Sequence, residues 1–199
     1  MRPISRSQVM AESAAPLGDL ALSALEVVPG LSGAVRFLRA VDDYRARALS
    51  SKLRAFLDGY QSQPAADREE MKEKLRDGAE RTSIGDMLFY SIDAYTDAFK
   101  CELLGRLFNA YLLGFLTSVE LRRIAQAIDA AFADDLLEFI EAKEIDERQP
   151  WQDFHSHLVA SGLMRPHMGW DTGLPAMTDL GAKMRRALRQ LAETERSAT

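Results

Sequence analysis

The stretch LLGRLFNAYLLGFLTSVELRRIAQAI, residues 103–128, holds the longest run without a charged residue in this 199-residue chain. Leucine and aromatic residues cover so wide an arc of its first half that we expect a central, largely buried helix there. Thr117 and Glu120 then form the pattern of a capping box, in which each side chain accepts a hydrogen bond from the other residue's backbone amide. This pattern predicts the start of a second helix. Its predicted buried stripe comprises Leu121, Ile124, Ile128 and Phe132.

Helical patterns extend from this stretch in both directions. Upstream, Thr82 and Ser83 predict the N-cap of a helix. Its apolar stripe comprises Ile84, Leu88, Ile92, Tyr95 and Phe99. Downstream, a helix is predicted over residues 134–145, where two aspartates occupy the first turn and complement the helix dipole. Pro150 and Gly162 then predict the two ends of a short helix.

The N-terminal third is predicted to be helical as well. Residues 16–41 form two apolar stretches separated by Pro29-Gly30, a pair that interrupts helices, and the second stretch continues to Gly59 as a plausible stop. Residues 68–80 have a narrow apolar stripe and predict an exposed helix. Residues 1–15 are expected to be disordered or loosely ordered.

The C-terminal stretch SGLMRPHMGWDTGLPAMTDLGAKM, residues 161–184, predicts a hairpin between two helices. Pro166 and Pro175 each lack a backbone donor, so the hairpin must be short. Thr178 with Asp179 caps the last helix. The predicted fold is therefore all-α, a bundle of about seven helices with a small C-terminal β-hairpin. Its parts are the N-terminus 1–15, a helical domain 16–146 and a winged-helix-like unit 150–193 packed on it.

Two resemblances accompany these patterns. The segment 161–184, with its "SGLM" and "MTDLGAKM" pieces, resembles the wing region of MarR-type winged-helix proteins. Residues 27–43 and 100–129 resemble an uncharacterised group of bacterial all-helical proteins. The first resemblance implies a hairpin between a recognition helix and a closing helix. The second implies an all-helical bacterial cytoplasmic protein and carries no activity.

The charge and the cysteine content indicate which partners and which cellular location the sequence favours. The formal net charge is −5, and the acid is concentrated in residues 61–149, which hold 19 Asp and Glu against 11 Lys and Arg. Such a surface repels phosphate backbones at long range. The single cysteine, Cys101, cannot form an internal disulfide and is predicted to be a core residue. The sequence shows neither a secretory signal nor an apolar run long enough to span a bilayer, so a cytoplasmic location is expected.

No catalytic, cofactor or metal site is predicted. The sequence holds no nucleophile elbow, no phosphate-binding glycine loop and no HExxH motif. His155 and His157 lie about 200° apart on a helix, so they cannot face one ion. Asp153 with His157 could share a face, and His167 lies farther on, but a zinc site needs three or four converging ligands. Paired acids such as Asp134 and Asp135 point apart and are typical of a solvated surface.

Two alternatives to protein binding remain open. Binding to DNA would use basic residues around the hairpin and last helix, namely Arg165, Lys183, Arg185, Arg186 and Arg189. The competing interpretation is that these residues complement the helix dipole and keep it soluble. Association with a membrane surface would use residues 16–57, whose basic residues are Arg36, Arg39, Arg45, Arg47, Lys52 and Arg54. The competing interpretation is that this segment packs against the central helix or a second copy.

The leading hypothesis is a non-enzymatic helical protein that acts through protein–protein interaction. In this hypothesis a helical face binds another protein or a second copy of the chain, giving a homo-oligomer in the latter case. DNA is not favoured as a partner, because the acidic middle of the chain repels phosphates. A membrane is not favoured, because the apolar stripes of helices in soluble proteins generally form the core. No small-molecule substrate is implied.

Overall fold

The structure is a computed structural model that describes residues 44–60, 78–142, 153–166 and 175–197. These ranges contain seven α-helices and two short strands, as the sequence predicts. In chain order the elements are α1 (Tyr44–Tyr60), α2 (Gly78–Ala94), α3 (Ala98–Leu112), α4 (Ser118–Ala130), α5 (Ala133–Glu141), α6 (Asp153–Ala160), β1 (Met164–Pro166), β2 (Pro175–Met177) and α7 (Asp179–Ser197).

Several predicted features lie outside the described residues. They are the N-terminus 1–15, the helical hairpin 16–41, most of the predicted exposed helix 68–80, the predicted helix start at Pro150, and the turn of the C-terminal hairpin with His167.

Helix α3 is the central helix, as its wide apolar arc predicts. From Phe99 to Leu112 every residue except Glu102 is buried. Helix α1 packs closely along it through two glycines, since a Cβ on Gly105 would overlap the carbonyl oxygen of Phe56, and one on Gly59 would overlap that of Glu102. Helix α1 does end beside Gly59, at Tyr60, but this glycine is required chiefly for the close helix contact.

The helix upstream of α3 differs from the prediction in its boundaries. Helix α2 begins at Gly78, so the predicted N-cap at Thr82 and Ser83 is wrong. It ends at Ala94, and Asp97 starts α3 by accepting a hydrogen bond from the Phe99 amide at 2.8 Å. The predicted stripe is thus divided among α2, the link that contains Tyr95, and α3. Its last two members are still buried, because the Tyr95 hydroxyl donates to the Ala125 carbonyl at 2.8 Å and anchors the junction on α4.

The predicted capping box is present at the start of α4. The Thr117 hydroxyl oxygen accepts from the Glu120 amide at 3.2 Å, and the Glu120 carboxylate accepts from the Thr117 amide at 2.8 Å. Three members of the predicted stripe are fully buried, but Phe132 is 65% exposed, which corrects the prediction. The reason is that α4 ends at Ala130, so helical spacing no longer places residue 132 on the buried face.

The C-terminal hairpin pairs its strands antiparallel with Met164 opposite Met177 and Pro166 opposite Pro175. The two prolines therefore face each other at the end of the ladder, where their missing donors are tolerated. The Thr178 hydroxyl donates to the Gly162 carbonyl at 2.7 Å and accepts from the Gly181 amide at 3.1 Å. Thr178 thus caps α7, as predicted, and ties its start to the end of α6.

One hydrophobic cluster runs through the described residues from Leu49 on α1 to Leu188 on α7. Helix α7 packs against α3 and α4, so the C-terminal unit shares this core. Among the described helices, none is both long and apolar enough to cross a membrane.

Candidate functional site

The five basic residues singled out from the sequence take different positions. Arg185 faces inward and is only 6% exposed. Its guanidinium donates to the Ala142 carbonyl at the C-terminal end of α5 and lies 5.5 Å from the centroid of the Phe139 ring. Burial lowers the pKa of Arg185 from its ordinary value, and the charge of Arg189 lowers it further. Arg185 therefore joins α7 to α5 and is not placed to contact a phosphate.

Lys183 is exposed, but its ammonium group already has an acidic partner. Its ammonium group forms an ion pair with the Glu120 carboxylate, which joins α7 to the capping box of α4. The hydrogen bond from Lys183 and the one from the Thr117 amide lower the pKa of Glu120 to about 2. The ion pair would have to break before Lys183 could contact DNA.

Arg165, Arg186 and Arg189 are exposed. Arg165 lies on β1 opposite Ala176, and the two others lie on the outer face of α7. Of the five candidates, three are thus accessible, and the structure does not bring all five together on one surface.

A different exposed surface lies at the start of α5, beside α6. We call it the Phe132 surface and define it by Phe132, Asp134, Asp135, Glu138 and His157. Phe132 is the N-cap of α5, with φ −74° and ψ 145°, and makes no side-chain capping bond. Serine, threonine, aspartate and asparagine are strongly preferred at this position, because their side chains accept hydrogen bonds from the first-turn amides. Phe132 provides no such bond and exposes an aromatic ring to water.

The ring of Phe132 is held by its neighbours. It meets the His157 ring of α6 edge to face, with centroids 5.2 Å apart. The Nδ1 atom of His157 lies 2.8 Å from the Asp135 carboxylate in the first turn of α5. Phe132 of α5 thus contacts His157 of α6, which in turn contacts Asp135 of α5. Phe132 therefore stands in a defined position although most of its surface faces solvent.

The segment that carries Phe132 is acidic in sequence, and two cations that bond to it, Lys100 at the Asp129 carbonyl and Arg185 at the Ala142 carbonyl, are buried. Residues 124–142 contain five acidic residues and no lysine or arginine. These residues are Asp129, Asp134, Asp135, Glu138 and Glu141. Asp129, Asp134, Glu138 and Glu141 are exposed, and Asp135 is half-buried against His157. An exposed aromatic ring within a negative field can bind an apolar group that carries nearby positive charge.

Two other large apolar side chains are exposed in the described part of the chain, Tyr90 at 71% and Val119 at 53%. Tyr90 lies on α2 and contacts Phe89, with ring centroids 5.9 Å apart. Neither shows the contact pattern of Phe132, in which the ring packs on His157 of a second helix and His157 in turn contacts Asp135. Tyr90 therefore serves as a matched exposed aromatic for comparison.

The structure describes only one of the metal candidates, because the side chains of Asp153 and His155 lie outside the described residues. His157 is paired with Asp135. Within the described residues, no group of three or more potential metal ligands comes together. The thiol of Cys101 is buried, as predicted, and burial raises its pKa to about 12.

The sequence missed the Phe132 surface, although a signal for it was present. Asp134 and Asp135 predict the first turn of a helix, which places the preceding residues at its N-cap and outside the stripe of the helix before. A phenylalanine where a capping residue is preferred is thus a detectable irregularity.

Comparison of the chain with protein-family models, with curated proteins and with solved structures gave no match.

Proposed function

We propose that this chain is a non-enzymatic helical protein of the bacterial cytoplasm that acts by binding another protein or a second copy of itself. The Phe132 surface is the docking site in this proposal. Helix α7 supports that site, since Arg185 bonds to the end of α5 and packs on Phe139.

The observation that carries the proposal is the 65% exposure of Phe132 at a helix N-cap. This position forgoes a capping bond that contributes about 1 kcal/mol in typical helices. Exposed aromatic residues fixed by neighbours are typical anchors of protein interfaces, because burying their rings on binding costs little conformational entropy. A role in docking accounts for a side chain that folding alone does not favour.

Site-specific photo-cross-linking tests this function. A benzoylphenylalanine placed at position 132 in the native host is expected to give a discrete protein adduct, whereas the same group at position 90 is not. Both positions are exposed aromatics, so non-specific capture should be equal at the two. The absence of an adduct at 132, or equal adducts at both positions, would contradict the proposal.

DNA binding remains a second candidate because Arg165, Arg186 and Arg189 are exposed. A mobility-shift series across salt concentrations tests it, since phosphate contacts weaken as salt rises. Salt-sensitive binding that Arg186→Glu abolishes would favour a regulator. No shift at low salt would exclude it.

Membrane association through residues 16–57 has less support. Residues 16–43 lie outside the described residues, and in α1 the apolar side chains of Leu49, Leu53 and Phe56 are buried in the core. They are therefore not available to a bilayer without unfolding. Co-sedimentation with anionic vesicles tests this alternative, and failure to pellet would rule it out.

A further inference from the structure

We propose that the partner of the Phe132 surface is a positively charged, partly apolar segment of another protein, such as a basic amphipathic helix. The inference rests on the proposed function and adds to it the chemistry of the partner.

The first step concerns the anchor. The Phe132 ring is held against His157 at 5.2 Å, and His157 lies 2.8 Å from Asp135. Because these contacts already restrict the ring, its immobilisation on binding costs less than that of a freely rotating side chain. The partner must supply an apolar group to cover the ring.

The second step concerns charge. Asp134 and Glu138 are exposed on α5, whereas Lys100 and Arg185, two cations that bond to residues 124–142, are buried. The exposed charge of this segment is therefore acidic, which disfavours anions and favours cations. Complementary charge steers association and excludes partners of the wrong sign. A partner that covers Phe132 places its flanking residues beside Asp134 and Glu138, where lysine or arginine is favoured. Acidic segments and nucleic acids are disfavoured at the same place.

The third step concerns a second copy of this chain as the occupant. A twofold contact would place the Phe132 surface against itself and bring the two sets of acids together, which is unfavourable. A contact between the Phe132 surface and the exposed arginines of α7 on the next copy would join two different faces. Unless the rotation that relates one copy to the next closes a ring, such a contact builds open chains. A different protein with basic residues therefore fits this surface better.

The test uses the full chain and three synthetic peptides of about 18 residues, a length that can form an amphipathic helix. One contains Lys and Leu in helical register, one replaces Lys by Glu, and one replaces Leu by Gln while keeping Lys. Binding is measured by fluorescence anisotropy of the labelled peptide. We expect only the Lys/Leu peptide to bind measurably, and to bind several-fold more weakly when salt rises from about 50 to about 300 mM.

Variants then locate the contact. Phe132→Ser is expected to weaken binding of the Lys/Leu peptide at least about 10-fold, as for interface anchors. Tyr90→Ser, the matched exposed aromatic, should leave it unchanged. Glu138→Lys should also weaken binding, whereas Asp86→Lys, which reverses an exposed acid on α2, should have a much smaller effect. Circular dichroism of each variant checks that it is folded.

The outcomes separate this inference from the function on which it rests. Equal binding of the Glu/Leu peptide, equal effects of the 132 and 90 variants, or no peptide binding would overturn the inferred partner chemistry. If the cross-link at position 132 still forms in cells, the docking function survives that result. A dimer in sedimentation that Phe132→Ser dissociates would identify a second copy as the occupant, which also overturns the inference. If neither cross-link nor peptide binding depends on Phe132, both proposals are wrong.

Discussion

Phe132 and Phe139 lie seven residues apart, close to two full helical turns, yet they have opposite environments. Phe139 is fully buried in α5 beneath the Arg185 guanidinium, whereas Phe132 is mostly exposed beside His157. The difference arises because Phe132 is the N-cap, with extended backbone angles, and so leaves the helical face that Phe139 occupies. One ring is therefore part of the core, whereas the other is left exposed to solvent.

The largest expected effect is on the buried member of the pair. Phe139→Ala should lower the free energy of unfolding by about 3 to 5 kcal/mol, because it removes a full aromatic side chain and leaves a cavity. Urea denaturation followed by circular dichroism measures the change. Phe139→Leu, which keeps most of the volume, should cost much less. A loss below about 1 kcal/mol for Phe139→Ala would show that this ring does not support the core.

The next effect concerns the cation that covers Phe139. Arg185→Ala should lower the free energy of unfolding by about 2 kcal/mol, since it removes a charged hydrogen bond to the Ala142 carbonyl and packing on the ring. Arg186→Ala is the matched control, because this neighbouring arginine is exposed and its loss should change stability by less than about 0.5 kcal/mol. Equal losses for the two variants would contradict the inward position of Arg185.

A smaller and pH-dependent effect is expected at the contact between α7 and α4. The pKa of Glu120 is about 2 in the folded protein and 4.5 ordinarily, chiefly because of Lys183, so the folded state favours the carboxylate. Its contribution to stability is thus fully present above about pH 4.5 and is lost as the pH falls towards about 2.

Glu120→Gln removes this titration. The stability difference between the parent protein and the variant should therefore be constant near neutral pH and should shrink between about pH 4.5 and about pH 2. Urea midpoints measured at several pH values across this window test the prediction. A difference that stays constant down to pH 2 would show that the Lys183 ion pair does not act on Glu120.

The smallest effect, and one of opposite sign, is expected at the exposed member of the pair. Phe132→Ser should leave the free energy of unfolding unchanged or raise it by about 0.5 to 1 kcal/mol, because serine can cap α5 where phenylalanine cannot. Phe132→Ala, which adds no cap, is the control and should be near neutral. Destabilisation by more than about 1 kcal/mol in both variants would make Phe132 a structural residue and remove the argument for docking.

The sequence predicts most of the described fold because local signals and burial agree there. The capping box at Thr117, the central helix and the short paired strands that end at Pro166 and begin at Pro175 are all visible as residue patterns. Apolar periodicity misleads at helix ends, because the spacing of apolar residues can continue past the residue at which the helix stops. Periodicity therefore places Phe132 in the core stripe of α4 and misplaces the boundaries of α2.

The exposure of the candidate DNA-binding residues is harder to predict, because neighbouring basic residues on α7 differ only in the direction they face. Arg185 and Arg186 are indistinguishable by charge, and their positions follow from how α7 packs against α5, a contact between residues far apart in sequence. Lys183 likewise looks accessible until its partner Glu120, 63 residues earlier, is placed beside it. The sequence locates basic residues, but tertiary packing decides which of them remain exposed.

The most direct test of the contrast between the two phenylalanines is a map of backbone amide shifts by NMR while the Lys/Leu peptide is added. The account predicts that the largest shifts fall on residues 129–141 and 156–160, which include Phe132 and its contact His157, and that they vanish in Phe132→Ser. Shifts centred instead on Arg186 and Arg189, or no shifts at saturating peptide, would contradict the assignment of the Phe132 surface as the docking site.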